Sequence, residues 1–291
     1  MDKKSIAIKL EEFSRDDLSA STLKEQISYV VSQSDLVFKK NRILKIRNEL
    51  ANKEIEEEQV YEYLLEFSNW FFFVFFNNKK PNWLKAALTQ HLKDKPNAIK
   101  YHTYHDFFSL GWTIEDVMIS AISISNDNID NYSSSNEDLA HWIKLREQNL
   151  SYYIGIEFCG EIIGHLGLVI LTEKEYLLLK KGEMNEEDIQ GKRDDESSSL
   201  YLYVSSIVVK KEFRNLNILK KLLVKANRVF FGTKDRLNRV QSILAIAYTE
   251  EGSKVCRSLG FDFIQKYAKF GEIYEGTLDN IYKTKIGAML L

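Results

Sequence analysis

Two cysteines, two prolines and five histidines are all that 291 residues contain. The cysteines, Cys159 and Cys256, stand far apart with no metal-type spacing, which excludes a disulfide scaffold and fits a reducing compartment. Charge of one sign is also lacking. A formal net charge of -2 gives no general pull toward nucleic acid or anionic membrane, so any anion site has to come from local geometry. Long hydrophobic runs are missing too. WFFFVFF at residues 70–76 falls far short of the roughly 20 residues needed to span a bilayer and reads as a buried core segment. The start, MDKKSIAIKLEEF, has no apolar stretch leading to a small-residue cleavage site, so no signal peptide and a cytoplasmic location are expected.

What is present is an ordinary globular composition, 44% apolar and 28% charged, long enough for one large or two modest domains. Residues 1–97 read as a helical domain. LKEQISYVVSQSDLVF and IEEEQVYEYLLEFSNWFFFVFF carry apolar residues at three-four spacing, and Pro96 ends a last helix, NWLKAALTQHLKD. Residues 98–291 read as a mixed-sheet α/β domain. VMISAISIS (117–125) has the branched residues of a strand, and NEDLAHWIKLREQ the spacing of a helix. YYIGIEFCGEIIGHLGLVIL reads as a hairpin about Cys159-Gly160. Residues 172–199 are too charged for core throughout and are expected to form an acidic inserted loop or flap. Then come a strand, YLYVSSIVV, and a helix opened by FRNLNILKKLLVKANRVF. A strand SILAIAY, a helix TEEGSKVCRSLG capped at Gly260, and a closing hairpin complete the chain.

The segment IVVKKEFRNLNILKKLL puts a strand, a basic loop and a helix start in succession. The first N–H groups of a helix lack internal partners and sit at its positive end, where they attract phosphate, and Arg214, Lys210, Lys211, Lys220 and Lys221 add positive charge. Alone, these residues read equally as a solvated basic turn. Together with GEIIGHLGL upstream and SILAIAY and TEEGSKVCRSLGF downstream, the segment resembles the acetyl-CoA-binding signature of the GCN5-related N-acetyltransferase (GNAT) superfamily over roughly residues 110 to 287. Residues 1–95 have no share in it.

The resemblance implies a fold that delivers an acyl thioester to an amine, with acetyl-CoA or another acyl-CoA as co-substrate and no metal. The backbone of Ile207, Val208 and Val209 would line the pantetheine arm. Arg214, Asn215, Leu216, Asn217, Ile218 and Leu219 would offer N–H groups to the pyrophosphate, with Lys220 next in line. Asn217 stands where the family has its first loop glycine, and Asn tolerates positive φ. Leu219 stands at the second small-residue position, where a side chain crowds the ligand unless it turns along the helix flank.

Candidate catalytic residues follow from the same resemblance. Cys256 occupies the place of the family's thiolate-protonating tyrosine, and a buried structural cysteine is its plainer reading. Tyr203 stands where some members carry a glutamate base and reads otherwise as a cleft wall. His165 is a base facing the cleft or a packing histidine, and Tyr248 and Glu251 are further candidates. His102, His105 and Asp106 read as a surface turn rather than a metal cluster. P-loop, nucleophile-elbow and dinucleotide motifs do not occur, and neither does an aromatic platform for single-stranded nucleic acid. The expected acceptor is an amine on a small molecule, peptide or protein, and a homodimer is allowed. The alternative is a GNAT-fold acyl-CoA-binding or regulatory module that has lost turnover. A third reading, a diverged second copy of the fold in the N-terminal half, runs against its helical pattern.

Overall fold

The structure is a computed structural model, and it describes residues 80–129, 136–148, 150–195, 197–214, 217–232, 234–268 and 271–289, together with Glu62, Leu65, Glu66, Ser68, Asn69 and Phe72. The helix expected at LKEQISYVVSQSDLVF lies outside these residues, as does most of the one ending in WFFFVFF. Phe72, from that apolar run, is buried.

The described residues fall into two compact units. One takes those up to Lys100 with His105–Thr113 and Glu157–Ile162; the other takes Tyr101–Tyr104, Ile114–Ile156 and the rest. In the first, helix α1 (Asn82–Asp94) starts directly after Pro81, and Pro96 opens a short 3-10 turn just past its end. This follows from proline's fixed φ and missing donor. The same unit buries Asn69, whose amide donates to Cys159 O at 3.0 Å and to the Glu161 carboxylate at 3.0 Å, and Lys80 pairs with Glu161 at 2.8 Å.

Seven strands form one mixed sheet in the order β1-β2-β3-β4-β5-β7-β6. They are β1 (Lys100–Thr103), β2 (Ser151–Phe158), β3 (Glu161–Leu171), β4 (Leu200–Val209), β5 (Val240–Ala247), β6 (Asp262–Tyr267) and β7 (Gly271–Gly276). Cys159 and Gly160 join β2 to β3 with φ of 48° and 77°, the left-handed pair that a tight two-residue hairpin requires. β4 and β5 pair in parallel, so the chain crosses between them through α6 (Ile218–Phe230) and α7 (Lys234–Arg239). In α6 the buried residues Ile218, Leu222, Ala226 and Phe230 recur every fourth position, while Lys220 and Lys221 face water. α6 packs on one face of the sheet with α8 (Glu250–Ser258) and α9 (Leu278–Lys283), around Leu202, Ile243, Ala245 and Phe261.

Three segments differ from what their sequences suggest. Residues 117–125, expected as a strand, belong to helix α3 (Ile114–Asn128). Val117, Ala121 and Ile124 are buried at three-four spacing, and Ser120 and Ser125 return their hydroxyls to the carbonyls four residues back, at 2.7 and 3.1 Å. YHTYHDFF is no surface turn: it runs from β1 into α2 (Tyr104–Ser109), burying Tyr104 and Phe107. The described residues of 172–199 are folded rather than a free flap. Thr172 and Glu175 make a capping box for α5 (Glu173–Lys180), and Tyr176, Leu179 and Ile189 are buried against the second face of the sheet. The Glu175 carboxylate also accepts from the amides of Gln190 and Gly191 at 2.7 and 3.1 Å, and Asp194 pairs with Arg236 and Arg239 at 2.8 Å each. The helix expected at 136–148 is α4 (Asn136–Glu147).

Candidate active site

The site begins with one extra residue. β3 pairs with β4 as Gly167 with Ser206 and then Leu168 with Val204, so Ser205 is a bulge. A Cβ on Gly167 would stand 2.5 Å from Ser205 Oγ, and glycine leaves the room the bulge needs. A bulge bends and twists the strand that carries it. Here the parallel pairing of β4 with β5 stops at Val204 with Ala245. Beyond that point β4 stays paired with β3 as far as Val209, while β5 stays paired with β7 as far as Ala247. The two strands therefore splay, and a cavity of about 310 Å³ lies between residues 204–209 on one side and 245–249 on the other. Among the described residues, the edge of residues 205–209 that faces β5 has no strand partner, which suits an extended ligand.

At the open end the chain turns from β4 into α6. Arg214 lines the slot; its Nε donates to Val209 O at 3.0 Å and its guanidinium to Asn128 Oδ1 of α3 at 3.3 Å. Asn217 precedes α6 with φ 55° and ψ 21°, the left-handed conformation expected of it. Among the described residues no side chain caps the helix and no acid occupies its first turn, so its leading N–H groups are suited to an anion. Leu219 is half-buried and lines the slot, which stays open beside it. Ile207, Val208 and Val209 line it as well, whereas Lys220 points to solvent. Asn215 and Leu216 lie outside the described residues.

The far side of the slot holds a carboxylate that sequence reasoning missed. Glu186, in a 3-10 turn of the folded 172–199 segment, accepts from the phenols of both Tyr203 and Tyr248. It lines the slot together with Tyr248 and Glu251. Burial lifts its pKa above the ordinary carboxylate value, and the two tyrosine hydroxyls pull it only part of the way back. Tyr203 itself is buried, held as a neutral donor by its surroundings and the Glu186 charge, and it touches the slot only through that carboxylate.

The remaining candidates are scattered. His165 is buried and stacked on Tyr153 at 5.6 Å between ring centres; it does not line the slot, although its partner across β3 and β4, Val208, does, and burial pushes its pKa down to about 4. Cys256 lies on α8 and lines the slot, and burial pushes its thiol up to about 11. Among the described residues, no group of three or more His, Cys, Asp or Glu is placed to hold a metal ion, and no helix is long and apolar enough to cross a membrane.

No family model matches the sequence, and no curated protein matches it. Solved structures do. The chain is similar to an acetyltransferase of the GNAT family from Staphylococcus aureus Mu50, with 15% identity and a TM-score of 0.40 over 61% of this chain and 97% of that one. It is similar to the PaiA N-acetyltransferase from Thermoplasma acidophilum in complex with coenzyme A, with 15% identity and a TM-score of 0.36 over 62% and 98%. It is also similar to an aminoglycoside acetyltransferase from an uncultured soil metagenomic sample, with 15% identity and a TM-score of 0.36 over 56% and 86%.

Proposed function

We propose that the chain is an acyl-CoA-dependent N-acyltransferase, with acetyl transfer its simplest form. One observation carries the reading: β4 parts from β5 beyond Val204 and Ala245, and the slot so opened ends at the uncapped start of α6. A long thioester ligand with an anionic end fits those features. The free edge of residues 205–209 meets its amide-bearing arm, while Arg214 and the first amides of α6 meet its diphosphate.

When bound, the thioester supplies an activated acyl carbon, and its C–S bond breaks as the amine's C–N bond forms. The chain's part is to place these groups and to move one proton. Glu186 accepts the proton that the attacking amine sheds, and its raised pKa makes it a better base than a solvated glutamate. Tyr203 and Tyr248 hold the carboxylate in position. Cys256 serves as a wall of the slot. Its thiol holds a proton more tightly than a free thiol of pKa about 8.5, which makes it a poor donor to a departing thiolate. The thiolate takes its proton from water. Residues 1–97 are read as a helical domain that recruits substrate or partner.

The test has two stages. Coenzyme A and acetyl-CoA at millimolar concentration are expected to raise the melting temperature, by a stabilisation that grows with the logarithm of 1 + [L]/Kd. Amine-dependent release of coenzyme A thiol follows, measured across a panel of small-molecule and peptide amines. Binding without release from any amine replaces the enzyme by an acyl-CoA-binding module. No thermal shift removes both.

A further inference from the structure

A second cavity, of about 100 Å³, lies behind the slot between the sheet and helices α6, α8 and α9. Its walls are aliphatic and aromatic side chains such as Leu202, Leu223, Ile243 and Leu259. The two polar side chains on its rim, Asn227 and Tyr282, are hydrogen-bonded to each other at 3.4 Å. Protein interiors close around voids of this size, and a space with so few free polar groups does not hold water well.

Its position matters more than its volume. Val204, Ile207, Ala245, Val255 and Cys256 line both this chamber and the thioester slot. Val204 and Ala245 are the last paired residues of β4 and β5, so the chamber starts where the slot closes. The dividing side chains are small or of moderate size, and the Cys256 thiol, which burial keeps protonated, adds no charge to the wall. On the strength of the acyltransferase reading, we infer that the chamber is an acyl-chain pocket and that the preferred thioester carries a straight alkyl chain of about four to six carbons, the scale set by engineered dry cavities of ~150 Å³ that take benzene. The thioester carbonyl stays in the slot and the chain's methylenes enter past Cys256.

Dissociation constants for coenzyme A and for acetyl-, butanoyl-, hexanoyl- and decanoyl-CoA test this on the full chain. Each methylene that enters apolar surroundings tightens binding about fourfold, so hexanoyl-CoA is expected to bind at least tenfold more tightly than acetyl-CoA. The gain stops at decanoyl-CoA. Ala226 lines the chamber and not the slot. Ala226→Leu therefore removes the hexanoyl advantage and leaves coenzyme A affinity unchanged, and that unchanged affinity shows the variant is folded. Equal affinity for all chain lengths in the unaltered protein overturns the pocket and leaves the slot reading standing, as does a hexanoyl preference that survives Ala226→Leu. Failure of coenzyme A itself to bind overturns the slot and the pocket together.

Discussion

Glu186→Gln is the sharpest test of the chemistry. Glutamine keeps the size of the side chain and one of the two oxygens, so one of the Tyr203 and Tyr248 hydroxyls keeps its acceptor while the other turns its own oxygen toward the amide NH2, and the change removes the ability to accept a proton. A positioned base contributes ~10²–10⁴ in rate, so kcat is expected to fall by about that factor while acetyl-CoA binding is retained. The pH dependence gives the second reading. A base works deprotonated, so the rate rises with pH through the Glu186 pKa, which burial places above the ordinary value of 4.5. This acid limb vanishes in Glu186→Gln. Tyr203→Phe removes one hydrogen bond to the charged form, of ~1.5–3 kcal/mol, which shifts the carboxyl about tenfold or more toward its acid. Its limb moves to higher pH while the plateau rate survives. The assay is thiol release at saturating acetyl-CoA with an electron-poor arylamine acceptor, whose own titration lies well below the carboxylate range and so outside the window. A Glu186→Gln variant with full plateau rate, or a Tyr203→Phe limb that stays in place, refutes the assignment.

Two further outcomes follow from single residues. Asn217→Ala forces a β-carbon without a polar tip into left-handed backbone and is expected to cost ~1–2 kcal/mol in chemical denaturation; Asn217→Gly does not carry that cost, and neither change removes a main-chain donor, so acetyl-CoA affinity in Asn217→Gly is retained. His165 is neutral in the folded protein with a pKa near 4, whereas the unfolded chain protonates near 6.5. Its contribution is therefore complete above pH 6.5 and is lost as pH falls toward 4, by at most about 3 kcal/mol. Denaturation of His165→Leu across that window, against the unaltered protein, is expected to show a flatter pH dependence.

Elements whose signal is local could be read from the sequence. The Cys159-Gly160 turn, the fourfold apolar repeat of α6 and the glycine stop after α8, where Gly260 has φ 77°, each announce themselves within a few residues. Residues 117–125 misled because their branched composition argues for a strand while their spacing argues for a helix, and burial on one face decides it. The 172–199 segment misled for another reason. Its acids look solvated, yet Glu175 closes a cap and binds two amides, and Glu186 meets its tyrosines from 17 and 62 residues away. Nothing in the spacing of EED marks the first of the pair as the one turned inward. Of the side chains proposed from the sequence for catalysis, His165 does not line the slot and Tyr203 reaches it only through Glu186. Tyr248 and Glu251, proposed with them, stand on its wall.

The division of labour in the site explains why its departures from the expected motif fall where they do. The parts proposed to hold the thioester are backbone: the free edge of β4 past the Ser205 bulge and the first amides of α6. A side-chain change there, such as Asn217 or Leu219 for a small residue, alters local strain and crowding but leaves every main-chain donor in place. Proton transfer in the proposed mechanism, by contrast, depends on one side chain with a tuned pKa, and that residue need not come from the strand proposed to grip the ligand. Glu186 arrives from a separate turn, and Tyr203 on β4 donates to it. On the proposed mechanism a tyrosine at that strand position is half of the clamp that holds the base, and activity is expected to follow the carboxylate rather than the loop glycines.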